Sequence, residues 1–208
     1  MPTLPTAPLT VQLHYAQLEE LVANLLETHA DRRSPLSARF RLFRQRGFPP
    51  NVTALAKTRF AYDLEATLQV VLAFWMMKAF IPQEVVPVII TDKWDELKSG
   101  FRDAFAMISK EGAELSAVND DRKVLMLYPR NLHSFTLTKD VKGDPAETVT
   151  LTMVTARQAR ERSFGDHHHR DFEPVTFIDL HRLATWVRRA IMAARWSGPE
   201  PFETFGGG

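Results

Sequence analysis

The hydrophobic pattern of the chain changes period at Gly112. Before it, apolar residues recur at three- and four-residue spacing, as in helices that bury one face. After it, apolar runs are short, and in ETVTLTMVT Val149, Leu151 and Met153 alternate with threonines. Together with RKVLMLYP, HSFTLT and EPVTFID, this segment reads as strands, with Gly143-Asp144-Pro145 as a turn. Asp179 caps a last helix that turns Leu180, Leu183, Val187 and Ile191 inward. The pattern predicts an α+β fold with an all-helical N-terminal half and a small α/β C-terminal half.

The helical half divides at its own punctuation. Leu18, Leu21, Val22, Leu25 and Leu26 predict a helix over 10–29 with Thr10 as cap. Ser34-Pro35 reads as the start of a second, which Gly47 and Pro49-Pro50 stop after Arg46. Asn51 to Tyr62 reads as a small hairpin or extended loop. Asp63 caps a third helix carrying Leu64, Leu68, Val71, Leu72, Trp75 and Met76, and Pro82 opens a short fourth. Trp94, Leu97, Phe101 and Phe105 mark a fifth, ended by Gly112. The expected divisions are 1–91, a connecting helix over 92–112, and 113–208 as a unit for oligomerisation, sensing or partner binding.

Composition bounds what such a chain can do. With 45% hydrophobic and 25% charged residues it can bury a core. With no cysteine it has neither disulfides nor thiolate metal sites, as in a reducing cytoplasm. LQVVLAFWMMKAFI is too short and interrupted to span a bilayer, and MPTLPTAPLT has no signal-peptide pattern. The expectation is a cytoplasmic protein without membrane contact.

Net charge is only +1, so affinity for a polyanion must come from local clustering. One stretch clusters strongly. Arg32, Arg33, Arg39, Arg41, Arg44, Arg46, Lys57 and Arg59 fall before Tyr62 with no acidic residue among them. A solvated face usually mixes signs, because like charges at helical spacing repel. Leu36, Phe40 and Phe43 share one side of the helix, whereas Ser37, Arg41, Arg44 and Gln45 lie on the outward side. Arginine's planar fork fits phosphate oxygens or the guanine edge, and glutamine pairs with adenine. Phosphate contacts are therefore expected from Arg32, Arg33, Arg39, Arg46 and Lys57. Base-edge contacts are expected from Ser37, Arg41, Arg44 and Gln45, with Arg59 near a minor groove. A basic solvated face, or a helix set against an acidic protein or anionic lipid, are the competing readings.

SPLSARFRLFRQRGFPP, followed by KTRFAYDLEATLQVVLAFWMMKAFIPQEVVPVI, resembles the DNA-binding domain of MerR-family transcription regulators. In that resemblance Gly47-Phe48-Pro49-Pro50 is the turn from recognition helix to wing, and Arg59 with Tyr62 is the wing's end. Asp63 to Lys78 is the next helix and Phe80 to Ile89 the last. The likeness covers about residues 30–90. It implies a winged helix-turn-helix that acts at promoters with RNA polymerase, on double-stranded DNA and as a homodimer. The alternative is a transcription-complex or phage-type accessory factor that uses this scaffold to bind RNA polymerase or another protein.

Other chemistry has weaker footing. His167–His169, with Asp166, Asp171 and Glu173, form a polar loop whose adjacent imidazoles cannot converge on one ion, so no metal is expected. His14, His29, His133 and His181 read as structural. No phosphate-binding glycine loop, nucleophile elbow or spaced acidic set is present, so no catalytic residues and no cofactor are expected. Trp75-Met76-Met77 and Trp196 read as core, with an apolar ligand pocket as the other use of such residues.

Overall fold

The computed structural model describes residues 13–28, 33–50, 52–56, 59–112, 114, 117–128, 150–164 and 175–193. In chain order these form β1 (Leu13–His14), α1 (Tyr15–Leu25), α2 (Arg33–Gln45), β2 (Thr53–Ala56), β3 (Arg59–Tyr62), α3 (Leu64–Lys78), α4 (Val86–Asp92), α5 (Trp94–Glu111), β4 (Lys123–Tyr128), β5 (Thr150–Thr155), α6 (Ala156–Phe164), β6 (Thr176–Asp179) and α7 (Leu180–Ala193). The strands make two antiparallel sheets, ordered β1-β3-β2 and β5-β4-β6. The fold is α+β.

α3 is the centre of the molecule. Its apolar residues are not confined to one stripe, and Leu64 through Phe74 are buried except Glu65. A helix apolar all round must be covered all round, and α1, α4, α7 and β3 pack against it. Asp63 caps it as expected, its carboxylate accepting from the Ala66 N–H at 2.7 Å. Glu65, on its outer side, accepts from the Trp94 indole and pairs with Lys98 at 2.7 Å, tying α3 to α5.

Three helix starts differ from the expected ones. The first helix begins at Tyr15, because Leu13 and His14 are drawn into a strand pairing with Tyr62 and Ala61. The His14 N–H then donates to Gln17 Oε1 at 2.8 Å. α2 already includes Arg33, so Ser34 and Pro35 sit inside its first turn. Pro82 does not open α4. Its carbonyl accepts from the Val85 and Val86 N–H groups in a turn that precedes the helix.

The change of pattern at Gly112 is not a gap in packing. One core runs from Leu18 through Phe74 and Phe101 to Leu125, Ile178 and Val187, and α7 lies along α5. Gly100 makes that approach possible, since a Cβ there would sit 2.6 Å from Met153 and 2.8 Å from Leu180. The β5-β4-β6 sheet is sided. Leu125, Leu127 and Ile178 join the main core, while Val124, Met126 and Val154 face Ala156 and Ala159 of α6. Asp179 does cap α7, accepting from the Arg182 N–H at 3.0 Å, and Leu180, Leu183, Val187 and Ile191 are buried as expected. The expected strand in HSFTLT and the turn at 143–145 lie outside the described residues.

Candidate nucleic-acid interface

α2 stands on α3 through aromatic rings. Phe40 and Phe43 meet Phe74 with centroids 4.8 and 5.5 Å apart, and Phe43 meets Phe48 at 5.3 Å. Leu36, Phe40 and Phe43 are buried, so the helix faces the core by the side expected. It stops as expected too. Gly47 takes φ 68°, and the Phe48 N–H returns to the Phe43 carbonyl at 3.0 Å. That is the left-handed ending that glycine adopts without steric cost.

At 3.6 residues per turn the polar side of α2 divides into three strips. On one flank, Ser37 and Arg44 face α1. The Ser37 hydroxyl donates to Glu19 Oε1, and the Arg44 guanidinium lies over the Tyr15 ring, 5.0 Å from its centroid. On the other flank, Arg39 and Arg46 lie beside the turn before α4. There Gln83 donates to the Arg39 carbonyl at 3.2 Å, and Arg46 pairs with Glu84 at 3.8 Å. Between them, Arg41 and Gln45 are exposed and outermost.

The sequence assigned Ser37, Arg41, Arg44 and Gln45 to one outward group. The structure brings Arg41 and Gln45 to the crest and sets Ser37 half-buried against α1. Arg39, Arg44 and Arg46 are exposed on the flanks. Arg33 and Arg59 are placed by backbone as the first residues of α2 and β3. Arg32 and Lys57 lie outside the described residues.

Carboxylates from outside the arginine stretch reach it, among them Glu19 from α1 and Glu84 from the turn before α4. Neither was foreseen as part of this surface. Nothing local in the sequence marks Glu19, because its meeting with Ser37 depends on how two helices pack. Tyr15 was missed for the same reason. Its phenol is pushed above the usual tyrosine range by burial first and by Glu19 second, while Ser37 and Arg44 pull it back. Tyr62 is raised by burial, with Arg44 opposing.

β2 and β3 form a hairpin, the first of the two forms expected for 51–62, irregular between Ala54 and Ala56. The short β1 pairs with β3 directly before α1, so backbone pairing ties the hairpin to the strand that leads into the helix contacting α2.

The remaining candidates resolve differently. Trp75 and Met77 are half-buried, Met76 is fully buried, and all three belong to the main core. Trp196 and His167–His169 lie outside the described residues. Among the described residues no three His, Asp or Glu side chains gather as metal ligands, and no helix is long and apolar enough to cross a membrane. An open cavity of about 410 Å³ lies beside α6 and β6, floored by Val124, Ala156 and Phe177. Its two arginines are each held by a carboxylate, Arg122 by Asp179 at 3.0 Å and Arg160 by Asp120. No family model, no curated protein and no solved structure matches the chain.

Proposed function

We propose that the chain is a DNA-binding transcription regulator of the cytoplasm, with α2 as the element that enters the major groove. One observation carries this reading: Arg41 and Gln45 stand exposed on the crest of a helix whose opposite side is anchored by Leu36, Phe40 and Phe43. Those two side chains carry the donors and acceptors suited to guanine and adenine edges. Arg39 and Arg46 on one flank lie where a phosphate wall of the groove passes, and Arg44 on the other flank, held over Tyr15, is directed at a base edge. Arg32, Arg33, Lys57 and Arg59 extend the positive surface by sequence. The MerR-like motifs support the same reading and imply a winged helix-turn-helix, a homodimer and action with RNA polymerase at promoters. No catalytic role is proposed.

Glu19 and Glu84 support a second reading, in which the scaffold binds RNA polymerase or another protein. A surface made only to hold phosphate has no use for carboxylates at both flanks, whereas a protein surface of mixed charge does. Gel shift of promoter fragments with the purified chain, alone and with polymerase, separates the two. Binding by the chain alone supports the regulator. A shift that needs polymerase overturns it in favour of the accessory factor.

A further inference from the structure

Tyr15 follows directly on the strand that pairs with β3 and begins α1. Its ring meets Phe40 edge-on at 5.4 Å, and Phe40 is itself buried against Phe74. Backbone pairing on one side and a core ring on the other leave the tyrosine little freedom. Its exposed side carries the Arg44 guanidinium, 5.0 Å from the ring centre. The neighbouring Ser37 hydroxyl is turned away from solvent to Glu19.

An arginine on a solvated helix samples many rotamers, and ordering it on a ligand costs free energy. A planar guanidinium over an aromatic face has already given up part of that freedom. Arg41, one turn away, has no ring beneath it among the described residues. Arg41 and Arg44 therefore differ in kind: Arg41 adapts, and Arg44 is presented.

We infer that Tyr15 is a positioning residue that sets base preference by fixing the direction of the Arg44 guanidinium. The inference rests on the reading of α2 as the DNA-facing element. It gives the tyrosine a role that packing alone does not: the ring carries Arg44, while the hydroxyl bonds to Ser37 and Glu19 and is not what holds the guanidinium.

The experiment uses the full chain with four variants: Tyr15→Phe, which keeps the ring; Tyr15→Leu and Tyr15→Met, which remove it; and Arg44→Lys, which keeps the charge but not the plane. In DNA-free protein the Arg44 Nε–H signal, assigned by its loss in Arg44→Lys, is expected to be ordered in wild type and Tyr15→Phe. It should become mobile in whichever ring-free variant keeps the wild-type melting behaviour. In selection from randomised duplexes, that variant and Arg44→Lys should lose preference at the same base position. The ratio of specific to non-specific affinity should fall roughly 5-fold or more. Tyr15→Phe should keep both. The salt dependence should not change in any of the four, because no charge is removed.

A wild-type Arg44 as mobile as Arg41 overturns the inference. So does a folded ring-free variant that keeps wild-type base preference. A wild-type chain with no affinity for duplex DNA overturns the DNA reading and the specificity role with it. That result is distinct from binding whose preference ignores Tyr15, which overturns the role of Tyr15 alone.

Discussion

Arg41 and Phe43 are two positions apart on α2 and face opposite ways, the arginine in solvent and the phenylalanine 1% exposed against Phe74. Their substitutions should therefore have separable effects. Arg41→Ala is expected to leave the melting temperature unchanged and weaken a specific site by about 1–3 kcal/mol. Phe43→Ala is expected to cost about 3–5 kcal/mol of stability by leaving a cavity beside the Phe48 and Phe74 rings. Thermal melts and duplex titrations of both variants check this; an Arg41 variant that unfolds would show that the crest is not a surface.

Binding to duplex DNA should weaken steeply with salt. Arg39, Arg41, Arg44 and Arg46 are exposed on one helix, and each phosphate neutralised contributes a slope of roughly −0.9 in log affinity against log salt. A slope on the order of −3 to −5 is expected once the hairpin and the start of α2 add their cations. A flat titration would refute a phosphate-contacting role.

Glu84→Gln should raise duplex affinity. The Arg46–Glu84 pair is long at 3.8 Å and exposed on both sides, so breaking it costs little stability, ~0–1 kcal/mol. Removing the carboxylate takes a like charge away from the phosphates and frees a guanidinium for them. Unchanged or weaker affinity in this variant would favour a protein partner at that flank.

The part of this surface that was readable from sequence is the part set within one helix. Leu36, Phe40 and Phe43 share a face by periodicity alone, and Gly47 ends the helix by its own backbone preference. Asp63 and Asp179 were readable for the same reason, since a cap acts over three residues. Glu19, Tyr15 and Glu84 were not, because they reach α2 only through packing of elements far apart in the chain. β1 was unreadable in another sense: two residues carry no period. α6 has a weak apolar stripe in ARQARERSF, yet its signal was present. Thr155 and Gln158 exchange hydrogen bonds at 3.2 and 3.0 Å, a capping box of the Thr-x-x-Gln type.

Gly100→Ala should destabilise the whole protein. The added methyl would meet Met153 at 2.6 Å and Leu180 at 2.8 Å. Met153 can yield by rotamer change, but Leu180 begins α7 in the core, so a cost of about 1–3 kcal/mol is expected. Chemical denaturation with two probes, one for helix and one for tryptophan fluorescence, should show a single coincident shift. The same packing argues that a fragment ending at Gly112 exposes the face of α5 that α7 covers. Such a fragment is expected to bind a hydrophobic dye and to lack a cooperative melt. Cooperative unfolding of that fragment would show that the helical half holds itself together.

Stability should decline as pH falls through the ordinary histidine range. His181 is buried beside Asp179, Arg122 and Glu111, and its pKa lies below the usual value. Burial is the main cause, with Arg122 adding and the two carboxylates opposing. With a depressed folded pKa, the unfolded chain takes up the proton first, at about pH 6.5. The stabilisation is full above that pH and is lost progressively below it, down to the folded pKa. A melting-temperature profile that flattens in this window in His181→Gln would verify the assignment.

The pairing of Leu13 with Tyr62 also orders events during synthesis. As the chain emerges from the ribosome, the strand before α1 waits for the hairpin's second strand to be made. The central helix in turn waits for α7, near the far end of the described chain, to cover its remaining side. Contacts so far apart in sequence form late, because a long loop must close before they give anything back. A nascent chain arrested after the hairpin would hold the arginine helix without its finished support. The surface of α2 should therefore mature only once α7 has been made, so an unfinished chain presents the arginine helix without the packing that shapes it.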